Sequence, residues 1–306
     1  MSADVLRAAR AVLAAVTSDL RYAHTSHLQV VVRGSVVVDE HLRGPMVSDV
    51  FSVTKSVLAT VLGVVAGRGL LPELDSPVGD VLPALRGQPH TWRQLLTMTR
   101  GARIEDVDEL TAMPGGQVAR IAGAPQEHEP GTRFGYDDGA AHLLSAAACE
   151  LLGESVADFA SRALFDPLGV AGTDWRCDPD GIPFGYAHLS MSADGLARVG
   201  QLWLADGAWD GRQLLSPAYF EEFRRPESTG GPPEGLPYAF LTWIDGDALL
   251  AGGWAGQHVL VVPRAETVIV TTGFLNFRFG PPPADDLPPD WRPAVDLIRA
   301  HILPTL

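Results

Sequence analysis

The chain has 306 residues, 46% apolar and 20% charged, the balance of a globular protein with a sizeable core, in one large domain or two intimate ones. A formal charge of −14 argues against nucleic acid and anionic membrane as partners. Cys149 and Cys177 form no CxxC pair and no metal-ligand spacing with the nine histidines, so no metal or organic cofactor is expected.

Along the chain, Leu6, Ala9, Val12, Leu13 and Val16 repeat on one face of a helix over residues 3–20. Asp4, Arg7 and Arg10 interrupt this segment, and its apolar run at 11–16 is too short for a secretory h-region. No stretch approaches the roughly 20 apolar residues of a membrane helix, so a cytoplasmic protein is expected. Two β-branched runs, 28–33 and 36–40, flank Gly34-Ser35 as a hairpin. A helix follows at 52–66, closed by Gly67 and Gly69, and then a punctuated loop at 70–85. From Thr91 to about 204 the signals are mainly helical. His90-Thr91 caps 92–98, Cys149 lies in the core of a helix at 137–152, and helices at 156–164 and 192–204 follow. Strand patterns return at 238–244, 248–251, 258–262 and 267–272, and a proline-rich loop at 281–293 leads to a closing helix at 294–302.

Strands at both ends with helices between them predict an α+β fold. One antiparallel sheet, covered by the first and last helices, carries an inserted all-helical subdomain. The boundaries fall at 1–88 and 205–306 for the sheet domain and 89–204 for the helical part, with a site in the cleft between them.

Lys55 is the only lysine; the other 22 of the 23 basic residues are arginine. Arginine stays protonated in proteins, whereas a desolvated lysine can give up its proton and act as a base. Ser52 stands three residues earlier, so the two share a helix face, and at the first turn Ser52 lies in the positive end of the helix dipole. A neutral Lys55 at this spacing can take the Ser52 proton, which points to nucleophilic catalysis. No histidine, among them His90, His128, His142, His188 and His258, has an Asp partner in a triad-like context, and no Gly-x-Ser-x-Gly elbow, phosphate loop or dinucleotide fingerprint occurs.

The segment Phe51-Ser52-Val53-Thr54-Lys55-Ser56 resembles the nucleophile motif of the serine β-lactamase and penicillin-binding-protein-like superfamily, in particular its class C-like esterases, amidases and nylon-oligomer hydrolases. Further segments fit in order. Residues 90–101 are similar to a family landmark, from which Met98 and Arg100 depart. Residues 129–136, 165–170 and 192–198 also resemble family segments. By this resemblance Tyr136 matches the tyrosine of a Tyr-x-Asn element and is driven toward phenolate or relays a proton to the leaving group. Its third position is Asp138 rather than Asn. Asp138 either caps its helix and points away, leaves more of the base role to Tyr136, or contacts a substrate amine. The third family element, usually Lys-Thr-Gly or His-x-Gly, falls at Trp254-Ala255-Gly256-Gln257, where the resemblance implies that the Gln257 N–H joins that of Ser52 as oxyanion hole. Gly252 and Gly253 let backbone approach a ligand, and Trp254 either walls the site or packs as an ordinary tryptophan.

The resemblance implies a serine hydrolase acting on a small-molecule ester or amide, with β-lactamase, DD-peptidase-like or acyltransferase activity as alternatives using the same residues. The departures at Met98, Arg100, Asp138 and Trp254 motivate a different class, an inactive ligand-binding scaffold. Loops at 230–237 and 281–293 are placed at the cleft mouth. The sequence carries no signal for oligomeric state.

Overall fold

The computed structural model describes residues 2–274 and 290–306. Eight strands form one antiparallel sheet in the order 35–41, 25–32, 267–273, 257–262, 248–253, 243–245, 236–238, 228–231. The strands Thr25–Val32, Gln257–Val262 and Thr267–Gly273 are buried along their whole length. Such strands read as unbroken apolar runs because both faces are covered. The Ser2–Ser18 helix and the carboxy-terminal helical turns cover one face; the Ala193–Leu204 and Val53–Gly67 helices cover the other. Gly200 makes that second contact close, since a Cβ there would lie 2.6 Å from Val268. Among the described residues, no helix is long and apolar enough to cross a membrane.

The helix Val53–Gly67 is buried from Val53 to Val65 on every side, which a helix apolar all round requires. Its neighbours include the Asp138–Leu152 helix and the strands at 248–253 and 257–262. Lys55 therefore sits in the middle of the protein, on an element that its surroundings hold from all directions.

The structure departs from the sequence reading in four places. The hairpin turn is Arg33-Gly34, both left-handed, rather than Gly34-Ser35. The apolar run 238–244 is two strands, because Leu241 turns left-handed and Ala239 N–H bonds the Thr242 carbonyl. The stretch expected to be mainly helical holds two strands of a small sheet, Asp174–Trp175 and Leu189–Ser192, the latter paired with Val47–Asp49. The loop placed at 230–237 carries the end of one edge strand, Ser228–Gly231, and the start of the next, Leu236–Tyr238. Cys149 is only half-buried and both cysteines are free thiols. The loop at 281–293 lies for the most part outside the described residues.

The departures at Met98 and Arg100 have a joint explanation. Arg100 is buried and ion-pairs with buried Asp137, while Met98 Sδ accepts the Asp137 N–H. Asp137 is also the N-cap of the Asp138–Leu152 helix, accepting from Ala140 N–H at 3.1 Å. These residues fix the start of that helix. Removing one partner leaves a buried charge uncompensated, so Arg100→Met is expected to lower stability by about 3–5 kcal/mol in urea unfolding. The double variant Arg100→Met/Asp137→Asn, which removes both charges, should recover a substantial part of that loss.

Candidate active site

Ser52 occupies the N-cap position of the Val53–Gly67 helix, half-buried. Phe51 before it takes φ +47, a conformation that costs a bulky residue about 1–3 kcal/mol and persists only where the surroundings impose it. Asp49 supplies that constraint, with Oδ1 accepting the Phe51 N–H at 2.7 Å. One turn into the helix, Lys55 Nζ donates to Ser52 Oγ at 2.7 Å.

Four oxygens surround the Lys55 nitrogen. They are Ser52 Oγ, the Tyr186 carbonyl at 2.9 Å, Asp138 Oδ1 at 2.7 Å and the Tyr136 hydroxyl. The Tyr186 carbonyl and the Asp138 carboxylate can only accept, whereas the Ser52 and Tyr136 hydroxyls can accept or donate, so at least two N–H groups of Lys55 are engaged. Burial opposes a positive charge on the amine, but the Asp138 carboxylate and then Tyr136 outweigh it and hold the lysine pKa above its ordinary value.

Asp138 is therefore not a helix cap pointing away. Asp137 does the capping, and Asp138, the first helical residue, turns its carboxylate onto Lys55. Tyr136 is hydrogen-bonded to both Ser52 and Lys55, and its ring stacks on Trp243 at 5.7 Å and 9°. Burial pushes its phenol pKa up against the pull of the Lys55 ammonium, and Asp138 adds to the rise. Of the two roles expected of Tyr136, this direction favours the protonated phenol that relays a proton over the phenolate.

The turn Trp254–Gly256 joins the strands Ala248–Gly253 and Gln257–Val262 beside this cluster. A Cβ on Gly253 would lie 2.5 Å from the Val50 carbonyl and 3.2 Å from Val53 N, so the strand end abuts the backbone that carries Ser52. The close approach is thus to the turn that carries Ser52, whereas Gly252 faces the Glu234 carboxylate. Trp254 is 39% exposed with its ring edge-to-face on Phe51, beside Ser52. Gln257 is buried, and its side chain donates to the Gly273 carbonyl at 2.7 Å. Ser52, Lys55, Tyr136 and Asp138 thus meet directly, Trp254 lies beside the Ser52 turn on Phe51, Gln257 pairs with the Gly253 that abuts it, and Gly256 faces His24 instead.

Four of the histidines pair with carboxylates in the fold, though none of these pairs includes Ser52. His142 pairs with Asp178, His188 with Asp49, His27 with Asp39 and His258 with Glu234. Sequence order conceals them because each pair bridges separate elements. The groups bonded to Ser52 Oγ among the described residues remain Lys55 and Tyr136. Two contributors carried no sequence signal, the Tyr186 main-chain carbonyl and the Asp49 carboxylate three residues before Ser52.

Sheet, helices and their connections place the chain among β-lactamase/transpeptidase-like folds. Solved structures that share it include a putative β-lactamase from Bacteroides dorei (TM-score 0.76, 19% identity, 96% of this chain and 98% of the other). A family VIII carboxylesterase superposes similarly (TM-score 0.74, 18% identity, 97% and 96% covered). A family model described as Beta-lactamase matches residues 14–292, and the chain belongs to that family. It is 26% identical over 278 residues to the 6-aminohexanoate-dimer hydrolase of Paenarthrobacter ureafaciens, covering 78% of this chain and 70% of that protein.

Because Lys55 is the sole lysine, protein labelled with [13Cε]lysine gives a single side-chain signal that reports its charge. In wild type this signal should titrate above the range of an ordinary lysine. Asp138→Asn removes the carboxylate while burial remains, so the midpoint should move down. A midpoint unchanged by Asp138→Asn would refute the assignment of the raised pKa to Asp138.

Proposed function

We propose that the chain is a serine hydrolase that cleaves a small-molecule ester or amide through an acyl-enzyme on Ser52. The observation that carries this reading is the 2.7 Å hydrogen bond between Lys55 Nζ and Ser52 Oγ at a buried helix start. In the neutral state Lys55 accepts the Ser52 proton as Oγ attacks the carbonyl carbon. The Ser52 and Gln257 N–H groups hold the oxyanion, Tyr136 passes its proton to the leaving group and is reprotonated by Lys55, and water then attacks the acyl carbon, giving its proton to the neutral Lys55, which returns it to the departing Ser52 Oγ. Trp254 offers an apolar wall to the substrate. The reading extends to a cytoplasmic location, motivated by the charges that interrupt the first helix.

The names of related proteins support this choice: a 6-aminohexanoate-dimer hydrolase, a family VIII carboxylesterase, and EstCE1, a hydrolase with promiscuous acyltransferase activity. Ester or amide hydrolysis is favoured over β-lactam or D-alanyl peptide cleavage by Trp254. It stands where a cation would recognise the substrate carboxylate, and the chain's one lysine is already used at Ser52. The pairing of Arg100 with Asp137 removes two of the departures that suggested an inactive scaffold.

Intact-mass spectrometry after exposure to a fluorophosphonate tests the nucleophile. One adduct is expected on wild type and none on Ser52→Ala or Lys55→Arg; a well-folded wild type without adduct would sink the acyl-enzyme.

The pH dependence follows from the raised lysine pKa. Only the neutral amine accepts a proton, so acylation should rise with pH through the neutral range and level off only once Lys55 titrates. Asp138→Asn should bring the plateau to lower pH and speed labelling at pH 7 by about tenfold for each unit the pKa falls. Slower labelling at pH 7 would instead make Asp138 a participant in proton transfer.

The protonated phenol yields a separate expectation. Tyr136→Phe should slow amide hydrolysis by about 10²–10⁴-fold, yet leave p-nitrophenyl esters far less affected, because nitrophenolate departs unprotonated. Equal losses on both substrates would remove the leaving-group role.

A further inference from the structure

We infer that Asp49, with His188, is a positioning residue for the Ser52–Lys55 pair, an inference that rests on the serine hydrolase reading for its kinetic part alone. Strands Val47–Asp49 and Leu189–Ser192 pair antiparallel, with Asp49 opposite Ser190. The Val50 N–H still bonds the Leu189 carbonyl at 2.8 Å, and there the ladder ends. On both chains the next residue away from it turns left-handed, Phe51 at φ +47 and His188 at φ +67. Neither is glycine, and each flips its N–H out of any strand pattern.

The Asp49 carboxylate takes over from the ladder. Oδ1 accepts the Phe51 N–H at 2.7 Å and the His188 N–H at 3.2 Å, while Oδ2 holds His188 Nδ1 at 2.7 Å. The carboxylate is 12% exposed and the imidazole 8%, and the ring packs on Phe184 and Tyr186. Its two oxygens therefore tie together two strained residues, Phe51 close to Asp49 in sequence and His188, 139 positions after Asp49.

What those residues adjoin gives the clamp its function. Phe51 precedes the nucleophile, and its ring meets Trp254. His188 stands two residues after Tyr186, whose carbonyl takes one Lys55 N–H at 2.9 Å. Asp49 thus sets the distance between Ser52 Oγ and the Tyr186 carbonyl, the two points between which Lys55 Nζ is suspended. A shift of either strained residue moves the amine off the serine, and misplacement of a reacting group by about 1 Å can cost on the order of a hundredfold in rate.

The test uses the intact chain with Asp49→Asn, His188→Gly and His188→Asn. Asp49→Asn keeps one carbonyl oxygen but loses the second. His188→Gly relieves the backbone and loses the ring, whereas His188→Asn tolerates φ > 0 and keeps a donor for Asp49. Two quantities are read: the single [13Cε]lysine signal at fixed pH, and kcat and KM for a p-nitrophenyl ester per site titrated with fluorophosphonate. Asp49→Asn and His188→Gly should shift the Lys55 signal and lower kcat per titrated site by about tenfold or more with KM little changed. His188→Asn should lie near wild type in both. A residue that merely stabilised the fold would reduce the titre and leave the signal and per-site kcat in place.

An unmoved Lys55 signal in Asp49→Asn and His188→Gly overturns the positioning role whatever the turnover. His188→Asn no better than His188→Gly also overturns it, by removing the contact as the cause. A shifted signal in a protein whose wild type takes no label would uphold the positioning and discard only the hydrolase reading.

Discussion

The chain's one lysine, 1% exposed, lies in the interior of this protein, and the site is arranged around it. Desolvation alone would strip Lys55 of its proton. Asp138, a main-chain carbonyl, a serine and a phenol reverse that balance by surrounding the nitrogen with acceptors. A buried ion pair of this kind is a poor source of net stability, because desolving both charges offsets most of their attraction. Its presence in a helix buried on every side is better understood as the cost of holding an amine in one place.

The rest of the architecture converges on that point from separate directions. The helix Val53–Gly67 brings serine and lysine to one face, and the Asp138–Leu152 helix brings the carboxylate. Its start is fixed by a second buried pair, Arg100 with Asp137. The sheet contributes the Trp254–Gly256 turn through an approach that glycine alone permits at position 253. The two carboxylates at 137 and 138 are adjacent in sequence yet serve opposite ends of the cluster, one anchoring the helix and the other holding the amine.

Much of the chemistry was legible in the sequence because it resides in side-chain identity at short range. A lone lysine three residues after a serine, and a tyrosine ahead of a long helix, mark themselves. Asp138 was visible as a departure, but its direction was not, since Asp137 and Asp138 are equally good caps on paper. The sheet's central strands were legible as β-branched runs; the run at 238–244 was misread because its turn uses Leu241 where glycine or asparagine would signal one. Long-range pairs such as His188 with Asp49 leave no local trace, and a main-chain acceptor like Tyr186 leaves none at all.

The replacement of every other lysine by arginine has a consequence outside catalysis. Lys55, the one side-chain primary amine, is buried, and the other 22 basic residues present guanidinium groups instead. Reagents that acylate, cross-link or tether proteins through amines would find almost nothing to attack on the outside. Covalent immobilisation would be confined to one terminus, leaving the orientation of every molecule on a support the same.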